Sequence, residues 1–195
     1  VYPREQPYLE ALTRAYADAG VKPETIGYIE AHGSGNAEED KVEARALSQF
    51  FDKSAGDRPI RLSSCMGFIG HTGAASGLAS IAKACLSLHH EIIPGVPGHQ
   101  REESHFASSS ALAASPTSQY WLRDRKSDRR RAGVSSFSVD GNCTHVVLSA
   151  PEALQAPRDQ SLENVVFSPR KKNEISKLFF SISKQIPLEG QKGAQ

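Results

Sequence analysis

The stretch Ile26-Gly-Tyr-Ile-Glu-Ala-His-Gly-Ser-Gly-Asn36 contains the pattern that decides the fold class. Residues 26–31 form a short, mostly apolar run, which is typical of a buried strand. A glycine-rich turn follows at 32–36. Three acidic residues at 38–40 then favour the first turn of a helix, where negative charge interacts well with the helix dipole. The segment predicts a strand, a turn and a helix in direct succession.

The same alternation continues on both sides of this stretch. Residues 7–19 carry apolar side chains at helical spacing, and Gly20 marks the end of that helix. Residues 59–64 predict a second strand. Residues 72–88 are small or apolar nearly all round, which is typical of a helix buried on every side. Alternating strands and helices of this kind predict an α/β fold.

The composition of the 195-residue chain excludes several classes of protein. Its 23 Lys and Arg balance 22 Asp and Glu, so the net charge of +1 offers no bulk attraction for nucleic acid. No stretch reaches the roughly 18 apolar residues of a membrane helix, and the N-terminus lacks a signal-peptide pattern. Three cysteines without ligand spacing indicate neither a disulfide framework nor a metal site. We expect a cytoplasmic protein with no nucleic-acid or membrane partner.

Two histidines lie at matching positions, His32 after the first predicted strand and His71 after the second. Glycines flank both, and they allow a substrate to approach the backbone closely. Catalytic groups of α/β proteins commonly lie on loops at the carboxyl ends of strands, and we expect His71 to open the following helix. Two neutral imidazoles there could stabilise an oxyanion or enolate, or transfer a proton near neutral pH. A loop histidine that only bonds the backbone fits the same spacing, and spacing alone favours it.

Other residues with reactive side chains carry weaker signals. We expect Cys85 to pack inside the buried helix and His145 to be structural. Cys65 and Cys143 lie near glycines in turns and stay open as nucleophiles, although neither has the local signature of one.

Four segments, in the order and spacing of the family, resemble motifs of the β-ketoacyl synthases. Together they make a highly specific pattern. The motif EAHGTGT resembles Glu30-Ala-His-Gly-Ser-Gly35, and GDPIEARAL resembles Asp40 with Val42-Glu-Ala-Arg-Ala-Leu47. The motif NIGHTxAAAG resembles Ile69-Gly-His-Thr-Gly-Ala-Ala-Ser-Gly77. The motif RAGVSSFGFGGTNAHVVL resembles Arg131-Ala-Gly-Val-Ser-Ser-Phe137 with His145-Val-Val-Leu148.

This resemblance implies a thiolase-like fold and a decarboxylative Claisen condensation. The family joins an acyl thioester to a malonyl-type extender, whose phosphopantetheine arm belongs to an acyl carrier protein, and no cofactor is bound directly. Its active site is a Cys-His-His triad, and His32 and His71 match the two histidines. The resemblance further implies substrate binding by Ser34, Asn36 and Phe137.

The resemblance covers only part of a synthase. The family's cysteine motif, TACSSS, is absent, and the chain begins without Met, so we expect a fragment of a longer protein. Residues 1–150 resemble the C-terminal lobe, and residues 151–195 resemble the post-ketosynthase linker, with a short strand at 165–167, a helix near 173–186 and a disordered end. The implied partners are the N-terminal half of the same domain, the acyl carrier protein, adjacent synthase domains and a second copy in a homodimer. We expect the lobe to expose an apolar face that the other half covers.

Several positions depart from the family pattern and keep two alternatives open. The family's lysine before the second histidine is Met66, its asparagine is Phe68, and its Gly-Phe-Gly-Gly turn is Ser138-Val-Asp-Gly141. A catalytically silent scaffold or chain-length partner is one alternative to an enzyme. A stand-alone binding module that dimerises to complete the lobe is the other.

Overall fold

The structure, a computed structural model, describes residues 3–54, 59–96, 98, 109–122 and 129–151. The linker and the helix expected at 173–186 lie outside these residues. Among the helices described, none has the length and apolar character required to cross a bilayer. The described residues contain four α-helices: α1 (Glu5–Ala19), α2 (Ala37–Phe51), α3 (Met66–Ile69) and α4 (Ser76–His90).

Seven strands are found in the described part of the chain: β1 (Tyr28–Glu30), β2 (Ile60–Ser63), β3 (Ile92–Ile93), β4 (Leu112–Ala114), β5 (Gln119–Tyr120), β6 (Arg131–Phe137) and β7 (Cys143–Ser149). Five of them form one sheet in the order β4-β2-β1-β6-β7. The first four of these are parallel, and β7 is antiparallel to β6. Strands β3 and β5 form a separate antiparallel pair. This mixed sheet with flanking helices confirms the predicted α/β class.

The central strand β1 separates two apolar clusters because side chains alternate across a strand. Ile29 packs with residues of α1 and α2 in one cluster. Tyr28 packs with Ala84 of α4 in the other. All three residues of β1 are buried, as expected for a parallel strand covered on both faces. The site described below lies at the carboxyl end of this strand.

Helix α1 forms and ends as its sequence predicts. Tyr8, Leu12 and Tyr16 recur at intervals of four residues and face the core. Gly20 adopts a left-handed conformation with φ 60, and its N–H donates to carbonyls of the last helical turn. Glycine reaches this conformation without the steric cost that a Cβ adds.

Helix α4 corrects two expectations. It is not buried on every side, because Leu78 is 73% exposed and Cys85 is also exposed. Its buried side is instead lined by three serines, one alanine and one lysine: Ser76, Ser80, Lys83, Ala84 and Ser87. The helix also begins at Ser76, after a 3-10 turn at Gly73–Ala75, so His71 precedes it and does not open it.

Candidate active site

His32 lies just beyond the end of β1 and is buried, with only 3% of its surface exposed. The backbone continues the sheet pairing one residue beyond the strand, since the Ala31 N–H donates to the Ser63 carbonyl at 2.8 Å. The His32 carbonyl accepts from the Ser64 hydroxyl at 3.0 Å. The adjacent ends of β1 and β2 therefore hold the His32 backbone in place.

His71 reaches the same place from the neighbouring strand. A short helix, α3, lies between β2 and His71, so the histidine does not follow the strand as directly as the sequence suggested. The two imidazole rings lie 5.5 Å apart between centroids, with an angle of 88° between their planes. The side chains meet because β1 and β2 are parallel neighbours and their carboxyl ends share one edge of the sheet.

The environment of His32 favours a neutral imidazole. Burial lowers the pKa of His32, and the nearby charge of His71 lowers it further, against a smaller opposing effect of Glu39. The Nδ1 atom of His71 accepts the Gly73 N–H at 3.0 Å, which leaves the ring proton on Nε2 when the ring is neutral. A neutral ring with a free N–H can donate to a developing oxyanion.

Phe137 forms one wall beside His32. It is the last residue of β6, the strand on the other side of β1, and it is buried. Its ring centroid lies 5.1 Å from that of His32 and 4.9 Å from that of Tyr8 on α1. Its position is set by both contacts, so it can limit how the His32 ring turns.

Glu43 of α2 is a site residue that was not predicted. Its carboxylate accepts both backbone N–H groups at the start of the turn, from His32 at 2.8 Å and from Gly33 at 2.9 Å. It is 2% exposed. Burial raises the pKa of Glu43 to about 7, and the two N–H donors oppose that rise. The sequence did contain a signal for Glu43: it is an acidic residue on the apolar side of a helix, and such a residue requires a specific partner.

Gly33 is required where the turn passes β2. Its φ is +54, and a Cβ there would lie 2.6 Å from the Ser64 hydroxyl oxygen. A side chain at this position would therefore both strain the backbone and displace the neighbouring strand end.

Ser34 and Asn36 shape the turn after His32. The Ser34 hydroxyl lies 3.3 Å from an Asp40 carboxylate oxygen and accepts the Asn36 N–H at 3.1 Å. The Asn36 side-chain oxygen accepts the N–H groups of Glu38 at 3.0 Å and Glu39 at 3.4 Å, which makes it the N-cap of α2. These contacts give both residues a local role, and their substrate binding stays a prediction.

Two of the cysteines are unsuited to act as nucleophiles. Burial raises the pKa of Cys65, and the negative charge of Glu30 adds to that effect. Burial also raises the pKa of Cys143 to about 11, with a further contribution from Glu43. Both thiols are therefore protonated at neutral pH, whereas the thiolate is the reactive form.

His145 has a structural environment, as the sequence predicted. It stacks on Tyr16 at 5.4 Å between ring centroids, and its Nδ1 lies 3.1 Å from the Ser135 hydroxyl. Burial lowers the pKa of His145 to about 3, so the ring is neutral near pH 7.

The fold and the paired histidines agree with what the sequence resemblance implies, the C-terminal part of a ketosynthase domain. The family model described as β-ketoacyl synthase, C-terminal domain, matches residues 2–99. The chain belongs to this family, and the expected membership is confirmed.

Similar proteins include several polyketide synthases. Polyketide synthase GfsA of Streptomyces halstedii is 36% identical over 160 residues, which are 80% of this chain and 2% of that protein. Polyketide synthase ThaG of Burkholderia thailandensis is 32% identical over 163 residues, which are 76% of this chain and 3% of that protein. The chain thus spans only a small part of these relatives.

Solved ketosynthases share the fold. Ketosynthase twelve of the bacillaene polyketide synthase in Bacillus amyloliquefaciens superposes with a TM-score of 0.69 and 26% identity, over 77% of this chain and 27% of that one. The ketosynthase from module 6 of the bacillaene synthase of Bacillus subtilis 168 has a TM-score of 0.70 and 27% identity, over 96% and 34% of the two chains. These matches confirm the expected thiolase-like fold, with this chain as its C-terminal lobe.

Proposed function

We propose that this chain is the C-terminal lobe of a β-ketoacyl synthase that extends an acyl chain in polyketide biosynthesis. The observation that carries the proposal is the pair His32 and His71, whose rings lie 5.5 Å apart on the segments that follow the adjacent parallel strands β1 and β2. Family membership supports the reaction type, a decarboxylative Claisen condensation. The enzyme class that follows is an acyltransferase.

In this reaction the two histidines stabilise the enolate. The extender loses CO2, and the electron pair of the broken C–C bond moves onto the thioester carbonyl. His32 and His71 donate their ring N–H groups to the oxygen that becomes negative, and the buried position of His32 strengthens that bond. The enolate carbon then attacks the acyl thioester on a cysteine of the N-terminal half, and the thiolate leaves as the new C–C bond forms.

The substrates reach this site on the phosphopantetheine arm of an acyl carrier protein. No cofactor is bound directly by the lobe in this proposal. Phe137, which lies 5.1 Å from His32 between ring centroids, forms the wall against which the acyl or extender group packs. Ser34 and Asn36 lie on the turn that follows His32, and in this proposal they contact the bound substrate.

The exposed apolar side chains near the site support the N-terminal half as a partner. They lie on α3 and α4, the helices that precede and follow His71 in the chain, and include Phe68, Ile69, Leu78 and Cys85. Exposed apolar side chains that lie together typically mark an interface. In the proposed cytoplasmic synthase, residues 1–150 are the lobe that this half covers, residues 151–195 are the linker to adjacent domains, and a second copy completes a homodimer.

Replacement of each histidine tests the proposal. We expect His32→Ala and His71→Ala, made in the complete ketosynthase, to lower decarboxylation of a malonyl thioester by about 100-fold each, since removal of one oxyanion donor has effects of this size. Acylation of the cysteine should change much less. The two rates are measured separately with a thioester-exchange assay and CO2 release.

His145→Gln is the matched control, because His145 is a histidine outside the pair whose ring contacts the buried residues Tyr16 and Ser135. The proposal is wrong if decarboxylation by His32→Ala and His71→Ala equals that of the unmodified enzyme. An unmodified ketosynthase that releases no CO2 would instead favour the silent scaffold, for which the replacement of the family's lysine by Met66 is the main argument.

A further inference from the structure

Lys83 and Glu30 form an ion pair in the interior of the lobe. The Lys83 Nζ lies 2.9 Å from the Glu30 Oε2, and the two side chains are 2% and 0% exposed. The ammonium also donates to the Ser63 hydroxyl at 2.7 Å. Tyr28 donates its hydroxyl to the same Glu30 oxygen. Neither charge takes part in the mechanism proposed above.

Stability alone is a weak reason for such a pair. Transfer of two charges out of water costs about as much as their attraction returns, and apolar residues of similar volume often stabilise a core as well or better. The other Glu30 oxygen, Oε1, is buried without a hydrogen-bond partner among the described residues. The pair therefore costs free energy in the folded state, and this cost favours a role in setting the geometry of the site.

The contacts of Lys83 indicate that the geometry concerned is that of the two histidine segments. Glu30 is the last residue of β1, two residues before His32, and Ser63 is the last residue of β2. The Nζ atom also lies 4.8 Å from the centroid of the Phe68 ring, on α3 and three residues before His71. One ammonium group thus contacts both segments that present the two histidines.

We propose that Lys83 is a positioning residue that sets the spacing of His32 and His71, with Glu30 and Phe68 as its two anchors. This inference rests on the proposed function, because it assigns Lys83 a role in the same site. Glu30 holds the ammonium toward β1 through a charge-assisted hydrogen bond. The Phe68 ring holds α3 over the same ammonium through a cation–π contact, at a position where the family has asparagine.

The main test removes both charges together. The double variant Glu30→Gln/Lys83→Met leaves no buried charge unpaired, and Gln can still accept from the Tyr28 hydroxyl. The matched control is Glu38→Gln/Lys41→Met, which removes a Lys–Glu pair at 2.8 Å on the exposed side of α2. Both are made in the complete ketosynthase and compared with His32→Ala and His71→Ala.

We expect the Glu30→Gln/Lys83→Met variant to lose about 10- to 100-fold in decarboxylation, because small misplacements of positioned groups have effects of this size. Cysteine acylation and the thermal midpoint should match those of the control. Phe68→Leu, which keeps an apolar side chain but removes the aromatic ring, should lower decarboxylation by about threefold.

A second readout is the pKa of His32, measured by NMR with 13C-labelled histidine. The charge of nearby His71 contributes to lowering that pKa, so a wider spacing should raise it toward its ordinary value. A His32 pKa that rises in the double variant but not in the control supports the proposal.

Other results overturn it. Unchanged decarboxylation in the double variant, or a parallel fall in both half-reactions, contradicts a positioning role. If the double variant does not fold, an unchanged rate in Phe68→Leu contradicts it. If His32→Ala and His71→Ala are fully active, the proposed function is wrong. In that case the His32 pKa is the remaining test, and an unchanged His32 pKa in the double variant contradicts the positioning role of Lys83.

Discussion

At the scale of single residues, Glu43 determines how the His32 turn is held. Its two oxygens accept the N–H groups of His32 and Gly33, and only an ionised carboxylate offers both oxygens as acceptors. The negative charges of Asp40 and Glu30 raise the pKa of Glu43 beyond the effect of its burial. Ionisation of Glu43 therefore has a cost in the folded state.

This cost predicts a pH dependence of stability. The pKa of Glu43 is raised to about 7 from 4.5, so its contribution is fully present below pH 4.5 and is lost as pH rises toward 7. The slope approaches about 1.4 kcal/mol per pH unit for one proton. Glu43→Gln should flatten this part of the profile, measured by urea unfolding of the chain at pH 5, 6 and 7.

The control for Glu43→Gln is Glu24→Gln, which changes an exposed carboxyl in the turn before β1. Equal pH profiles for Glu43→Gln and the unmodified chain would contradict the ionisation behaviour assigned to Glu43. A flattened profile in Glu24→Gln would show that the effect is not specific to the buried group.

At the scale of elements, the first turn of α2 depends on Asn36. Its side-chain oxygen satisfies two N–H groups that have no partner within the helix. The same residue was predicted to bind substrate, so the two roles need to be separated by experiment.

Asn36→Ala should lower the free energy of unfolding by about 1 kcal/mol, because it removes the cap. Asn36→Asp should keep the stability, since aspartate caps helices about as well, measured by urea unfolding of the same chain. Equal stability of the Ala and Asp variants would contradict the capping role. If Asn36→Asp is stable but the complete ketosynthase that carries it loses condensation, the result supports the predicted contact of Asn36 with substrate.

At the scale of the whole molecule, α4 has two unlike sides. One side faces the sheet with Ser80, Lys83 and Ala84, and the other exposes Leu78 and Cys85. The predicted burial of this helix is wrong for the chain as the structure describes it. It is consistent with a lobe whose second side is covered by the proposed N-terminal half.

The proposed interface on α4 predicts that substitutions of two exposed residues change the thermal midpoint by unequal amounts. In the complete ketosynthase, Leu78→Glu should lower the thermal midpoint by several degrees, because it places a charge in the proposed interface. Val139→Glu, which changes an even more exposed residue in the turn between β6 and β7, should change it little. Equal midpoints for the two variants would contradict an interface on α4.

Much of the fold could be predicted because its signals are local. The apolar run of β1, the left-handed Gly20 and the acidic start of α2 each lie within a few residues of the structure they produce. The convergence of His32 and His71 followed from one further rule, that parallel strands end at the same edge of a sheet. Glu43 and Lys83 were missed because their partners are distant in the chain.

The sequence by itself determined the alternation of the first strands and helices, the place of a histidine in each of two glycine-containing turns and the family of the protein, since periodicity, glycines and motifs are all readable along the chain. Only the tertiary structure decided that Glu43 holds the His32 turn, that Lys83 contacts both histidine-bearing segments, and that one side of α4 is exposed. The physical reason is that burial and ion pairing depend on which surfaces meet in space.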